Sequence, residues 1–145
     1  MKIATLIARN LLGFLFMVFG LNGFLHFIPQ PPPPAGLATQ YLTVLFVSHY
    51  LVPVFALQLL AGVLLLCNRF VPLALVLLGP VIVNILLYHV LMAPAAAPPA
   101  LVTLVLWLVV FGSARSAFAS VFAMKVGTPK QEETAWNRAL TAKVQ

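Results

Sequence analysis

The sequence predicts an all-α membrane protein, an antiparallel bundle of four transmembrane helices with both termini on the cytoplasmic side. Three observations carry that prediction. The first is composition: of 145 residues, 63% are hydrophobic and 7% charged, against roughly 25% charged residues in an ordinary soluble domain. A chain this short leaves much of its surface exposed on folding, and eight Lys and Arg with two acidic residues cannot cover it. The second is length, because four stretches reach the roughly 20 apolar residues that cross a hydrocarbon core about 30 Å thick. The third is charge placement, since the basic residues fall on alternate sides of those stretches.

The first span covers residues 3–28 and is uncharged from Leu11 onward. It stops at Pro29 and the run Pro31 to Pro34, where the N–H donors a helix needs are missing. Lys2 before an apolar run also begins a secretory signal, but Arg9 and Asn10 interrupt it and no small-residue cleavage site precedes the prolines. It therefore reads as an uncleaved helix. The second span covers 41–67 and opens near Tyr41 or Leu51, with Pro53 either starting the helix or kinking a longer one. A kinked or broken segment is the expectation.

The third span, 71–92, is bounded by Asn68-Arg69 before it and by Pro94 and alanines after it. The fourth, 98–119, opens on Pro98-Pro99, which a first helical turn tolerates. Together they make one membrane domain, residues 1–123. In the tail, 124–145, Thr128-Pro129-Lys130-Gln131 has the form of a capped helix start. Trp136, Ala139 and Leu140 would share one face with Arg138 and Lys143 reaching headgroups, so a short interfacial helix is expected, with a frayed soluble tail as the alternative.

Lys2 and Arg9 precede the first span, Arg69 separates the second from the third, and Arg115, Lys125, Lys130, Arg138 and Lys143 end or follow the fourth. The loops from Pro29 to Gln40 and from Ala93 to Pro98 hold no Lys or Arg and are expected outside. The same scatter argues against nucleic acid, because a net charge of +6 forms no basic patch with interleaved aromatics. Cys67 is the single cysteine, which excludes an intramolecular disulfide, a redox pair of cysteines and a structural zinc site. Packing is its expected role.

With lipid as solvent, the polar residues inside the spans are the informative ones. Asn22 and His26 lie four apart on the first span, Gln58 on the second, and Asn84, Tyr88 and His89 on the third. Alternating span direction brings all six toward the outer half, with Gln58 near mid-depth. The expected object is a neutral hydrogen-bonding pocket walled by residues such as Phe24 and Phe27, with His49 at the entrance to the second span. Three readings stay open: hydrogen bonds between helices, a site for a quinone or another lipid-soluble ligand, and haem held by two of His26, His49 and His89. No Asp or Glu stands in any span, which argues against buried acid–base catalysis and against a proton-coupled exporter. No metal site is expected.

Small residues mark close helix approach. Gly13 and Gly20 lie opposite Asn22 and His26, Gly62 shares a face with Gln58, and Gly112, Ser116 and Ser120 form a stripe that suits close packing or a second copy of the chain.

Four stretches in order carry a resemblance: Phe19-Gly20-Leu21-Asn22-Gly23-Phe24-Leu25-His26-Phe27, Gln58 to Leu66, Asn68-Arg69-Phe70-Val71-Pro72-Leu73-Ala74, and Pro80 to His89. From Arg9 to Arg115 the chain resembles the DoxX family of small bacterial membrane proteins. The resemblance implies a four-helix bundle in the bacterial cytoplasmic membrane. It also implies a partnership with redox enzymes, as a subunit of an oxidoreductase complex rather than an enzyme by itself. A small-molecule transporter or channel is the alternative. Gly23 stands where the family commonly has lysine, and Gln58 where it commonly has glutamate.

Overall fold

In the computed structural model, described for residues 2–29 and 31–119, five α-helices follow one another with no strand among the described residues. They are α1 (Lys2–Leu25), α2 (Leu37–Val47), α3 (Leu51–Leu66), α4 (Val71–Met92) and α5 (Pro98–Ala114), with 3-10 turns at Pro94–Ala96 and Arg115–Phe118. Ser120 and the tail in which a surface helix is expected lie outside the described residues.

Three helical stretches are long and apolar enough to cross a membrane: Ile3–Leu25, Val71–Met92 and Pro98–Phe118. Their best windows have mean hydropathies of 1.8, 2.3 and 1.8, yet only 28%, 28% and 11% of each is buried inside the protein. The greater part of this apolar surface faces outward, an arrangement suited to lipid rather than water. α1 ends where His26 takes φ 51°, a left-handed conformation that histidine adopts more readily than most side chains.

The second stretch differs from a single kinked helix over 41–67. α2 and α3 meet at 84°, and the break falls at Ser48–Tyr50, where His49 takes φ 57°. Pro53 is not the cause. It is the third residue of α3, within the first turn, whose N–H groups have no partner inside the helix in any case. The 16 residues of α3 extend about 24 Å, short of a hydrocarbon core about 30 Å thick. At 84° to α3, α2 adds almost nothing along the α3 axis, so the pair forms a broken span or a re-entrant segment.

α1 and α3 run antiparallel with their backbones in contact. Gly13 lies against Gly62, Leu65 and Leu66, while Gly20 lies against Phe55 and Leu59. A Cβ at Gly20 would stand 2.7 Å from the Leu59 nitrogen, and one at Gly62 would stand 2.6 Å from the Met17 nitrogen. Only a hydrogen fits, so the glycine face of α1 is the face that α3 covers. α4 packs beside α3, α5 beside α4, and α1 closes the ring against α5. The shared core includes Leu12, Phe16, Leu65, Leu75, Leu78, Ile82 and Val110.

Two further features set the outer elements. Pro80 sits inside α4, where its missing N–H interrupts the hydrogen-bond ladder. The Trp107 indole N–H of α5 donates to the Leu75 carbonyl at 3.0 Å beside that interruption, and the ring passes over Gly79. At the far end of α5, a Cβ at Gly112 would meet nothing within 4 Å and Ser116 is exposed. The described part of that stripe therefore packs against no helix of its own chain.

Candidate functional site

α2 leaves the bundle at the 84° bend and touches it chiefly at α4. Between them lies a groove of about 520 Å³, with Tyr41 on one wall and Pro80, Val83, Asn84, Leu87, Tyr88 and Leu91 on the other. The α4 residues recur at three- and four-residue intervals, the spacing that sets them on one face. The groove is apolar apart from Tyr41, Asn84 and Tyr88.

Those three side chains form its polar centre. The Tyr41 hydroxyl donates to Asn84 Oδ1 at 2.9 Å, and the Tyr41 and Tyr88 rings stack with centroids 5.9 Å apart. Tyr41 thus fastens α2 to α4 by one hydrogen bond and one ring contact. Asn84 Oδ1 accepts from Tyr41, and its Nδ2 hydrogens have no partner among the described residues. Asn84 is exposed on an apolar helix face, so these donors point to whatever surrounds the protein, and in lipid an unmet donor is costly. A ligand acceptor would relieve that cost.

The six residues singled out in the sequence occupy different places. Asn84 and Tyr88 line the groove. His89 lies next to Tyr88, edge to face at 5.1 Å, with its Nδ1 2.7 Å from the Ile85 carbonyl one turn back in α4. Asn22 is 7% exposed, but its amide is turned onto its own chain. It accepts from the Ile28 N–H at 2.6 Å and donates to the Ile28 carbonyl at 3.3 Å, clasping the segment that follows α1. His26, at the end of α1, is exposed, as is His49 at the α2–α3 break. Gln58 is also 7% exposed and lies on the α3 face that holds Ala61 and Leu65, both fully buried.

The ring order separates them. α1 and α4 lie across the diagonal of the bundle, each flanked by α3 and α5, so Asn22 and His26 do not border the groove that Asn84 and Tyr88 line. Among the described residues, no group of three His, Cys, Asp or Glu could hold a metal ion.

Tyr41 is the site residue that sequence reasoning did not single out. It entered only as a possible start of the second span, and nothing in a linear pattern places it 43 residues away against Asn84. The α2–α3 bend does that. At Gly23, the Phe55 ring occupies the space a side chain would take, and that ring also meets Phe24 edge to face at 6.2 Å. This packing leaves no room for a longer side chain at that position unless Phe55 moves. Comparison with protein-family models, with curated proteins and with solved structures finds no match for this chain.

Proposed function

We propose that this chain is a small multi-pass membrane protein that binds a lipid-soluble molecule bearing a hydrogen-bond acceptor, laterally, in the groove between α2 and α4. The observation that carries the reading is Asn84, whose two donors, unpartnered among the described residues, sit beside Tyr41 and Tyr88 on an otherwise apolar wall. A quinone carbonyl or a comparable carbonyl head with an apolar body has the matching chemistry. The DoxX resemblance supports a role as a membrane subunit that serves a redox partner, with catalysis supplied by that partner. A bacterial cytoplasmic membrane is part of the same reading.

In the proposed topology the chain crosses four times, with α2 and α3 together making the second crossing and both ends inside. The absence of Lys and Arg from the segments 29–40 and 93–98 supports it. Reporter fusions at Ala35 and Ala96 then read external, and fusions at Arg69 and Gln145 internal. One reading on the wrong side dismisses the four-crossing arrangement. For the ligand, mass spectrometry of the chain purified in mild detergent should find one discrete lipophilic species with the parent and none with Asn84→Leu. Equal recovery from both, or only bulk phospholipid from the parent, contradicts the groove as a site.

A further inference from the structure

The opposite end of the bundle carries cations that have no counter-ion among the described residues. No Asp or Glu occurs among the described residues. Arg9 continues the α1 stripe of Gly13 and Gly20 at helical spacing, and Gly13 lies against Gly62, Leu65 and Leu66. One turn further along this antiparallel pair, Arg9 stands level with the end of α3 and with the turn that carries Arg69. Both arginines therefore belong to one end of the bundle.

Arg9 is half-buried, and its Nε is covered with no partner among the described residues. Its one side-chain hydrogen bond among the described residues is long, 3.4 Å from a terminal nitrogen to Asn10 Oδ1. Arg69 is exposed and stands between two residues of positive φ, Asn68 at 53° and Phe70 at 52°. A guanidinium offers a planar fork of donors that matches two phosphate oxygens, and a partly covered charge with no opposite charge nearby is costly. Ile7, Leu11, Val63 and Phe70, at the same end, are exposed and apolar. Acyl chains can lie on such a surface, whereas a free phosphate ion has no use for it.

We propose that Arg9 and Arg69 hold the phosphate of an anionic phospholipid at this end of the bundle. Arg9 supplies the donor fork through its terminal nitrogens, and Arg69 supplies a second charge from the α3–α4 turn. The inference rests on the membrane reading above but not on the α2–α4 groove.

The test uses the full chain in neutral detergent micelles, titrated with dioctanoyl phosphatidylglycerol and followed by native mass spectrometry and thermal midpoint. Dioctanoyl phosphatidylcholine and inorganic phosphate form the comparison arms. The expected result is saturable phosphatidylglycerol binding that raises the midpoint, weakened about tenfold or more in Arg9→Gln and several-fold in Arg69→Gln. Arg69 is exposed, so its variant keeps the fold and decides the matter should Arg9→Gln fail to fold. Asn84→Leu, in the groove, should bind phosphatidylglycerol as the parent does, which separates failure of this site from failure of that one. Micelles present lipid to every face, so a wrong topology leaves the result readable. Unchanged affinity in Arg69→Gln, or an equal midpoint shift from phosphatidylcholine or inorganic phosphate, overturns the proposal.

Discussion

The α1–α3 side and the α2–α4 side of this bundle are built from similarly apolar helices and held together in opposite ways. On the first, glycines bring two backbones so close that a Cβ at Gly62 would stand 2.8 Å from the Gly13 carbonyl oxygen. On the second, α2 stands away from the bundle and is fastened through Tyr41 to Asn84 and Tyr88. Hydrophobicity does not separate the two, because lipid solvates apolar side chains as well as a neighbouring helix does. Small residues and polar side chains separate them. The first side is built for rigid packing, and the second has room for a guest.

The contrast breaks most visibly at the glycines. Gly62→Ala should cost about 2–3 kcal/mol, since the methyl group meets backbone that cannot swing aside, and Gly20→Leu should cost more. Both are read as a lower thermal midpoint in detergent. A midpoint within error of the parent for both would mean that the two helices are not in close contact.

Gln58 sharpens the comparison in the other direction. It is 7% exposed, yet its amide is not a covered atom lacking a partner, so its tip reaches the bundle surface, where lipid offers no hydrogen bond, and Gln58→Met should raise stability by about 1 kcal/mol. A fall in midpoint would show that the amide has a partner in the membrane.

These two predictions also mark what the sequence makes legible. Apolar stretches bounded by proline and charge are local, so α1, α4 and α5 can be read from the chain directly. Gly13, Gly20 and Gly62 also read correctly as faces where helices meet, because helical spacing alone defines a face. The α2–α3 bend could not be read in the same way. Pro53 is the conspicuous breaker, yet the break belongs to His49, whose positive φ leaves no mark in composition. Nor could spacing show that Asn22 would close on Ile28, a contact that depends on how the chain leaves α1. The Tyr41–Asn84 pair depends on the bend and is hidden for the same reason.

Smaller effects are expected where single hydrogen bonds are removed. Trp107→Phe keeps the stack on Phe111, at 4.9 Å, and loses the bond to the Leu75 carbonyl. Its cost should be about 1 kcal/mol. Ser116→Leu is expected to leave the stability of the single chain within about 0.5 kcal/mol, because the residue is exposed. The same variant should change particle size in detergent if the stripe meets a second copy, and an unchanged size removes the stripe as a seam between subunits.

The groove itself is tested most directly by a photoreactive benzoylphenylalanine placed in turn at Leu87, on the groove wall, and at Leu108, on the exposed face of α5. After illumination in native membranes and purification of the chain, adducts are weighed by mass spectrometry. A discrete lipophilic adduct at Leu87, with the ordinary phospholipid mixture at Leu108, is the predicted result. The same phospholipid mixture at both positions would contradict a binding groove between α2 and α4.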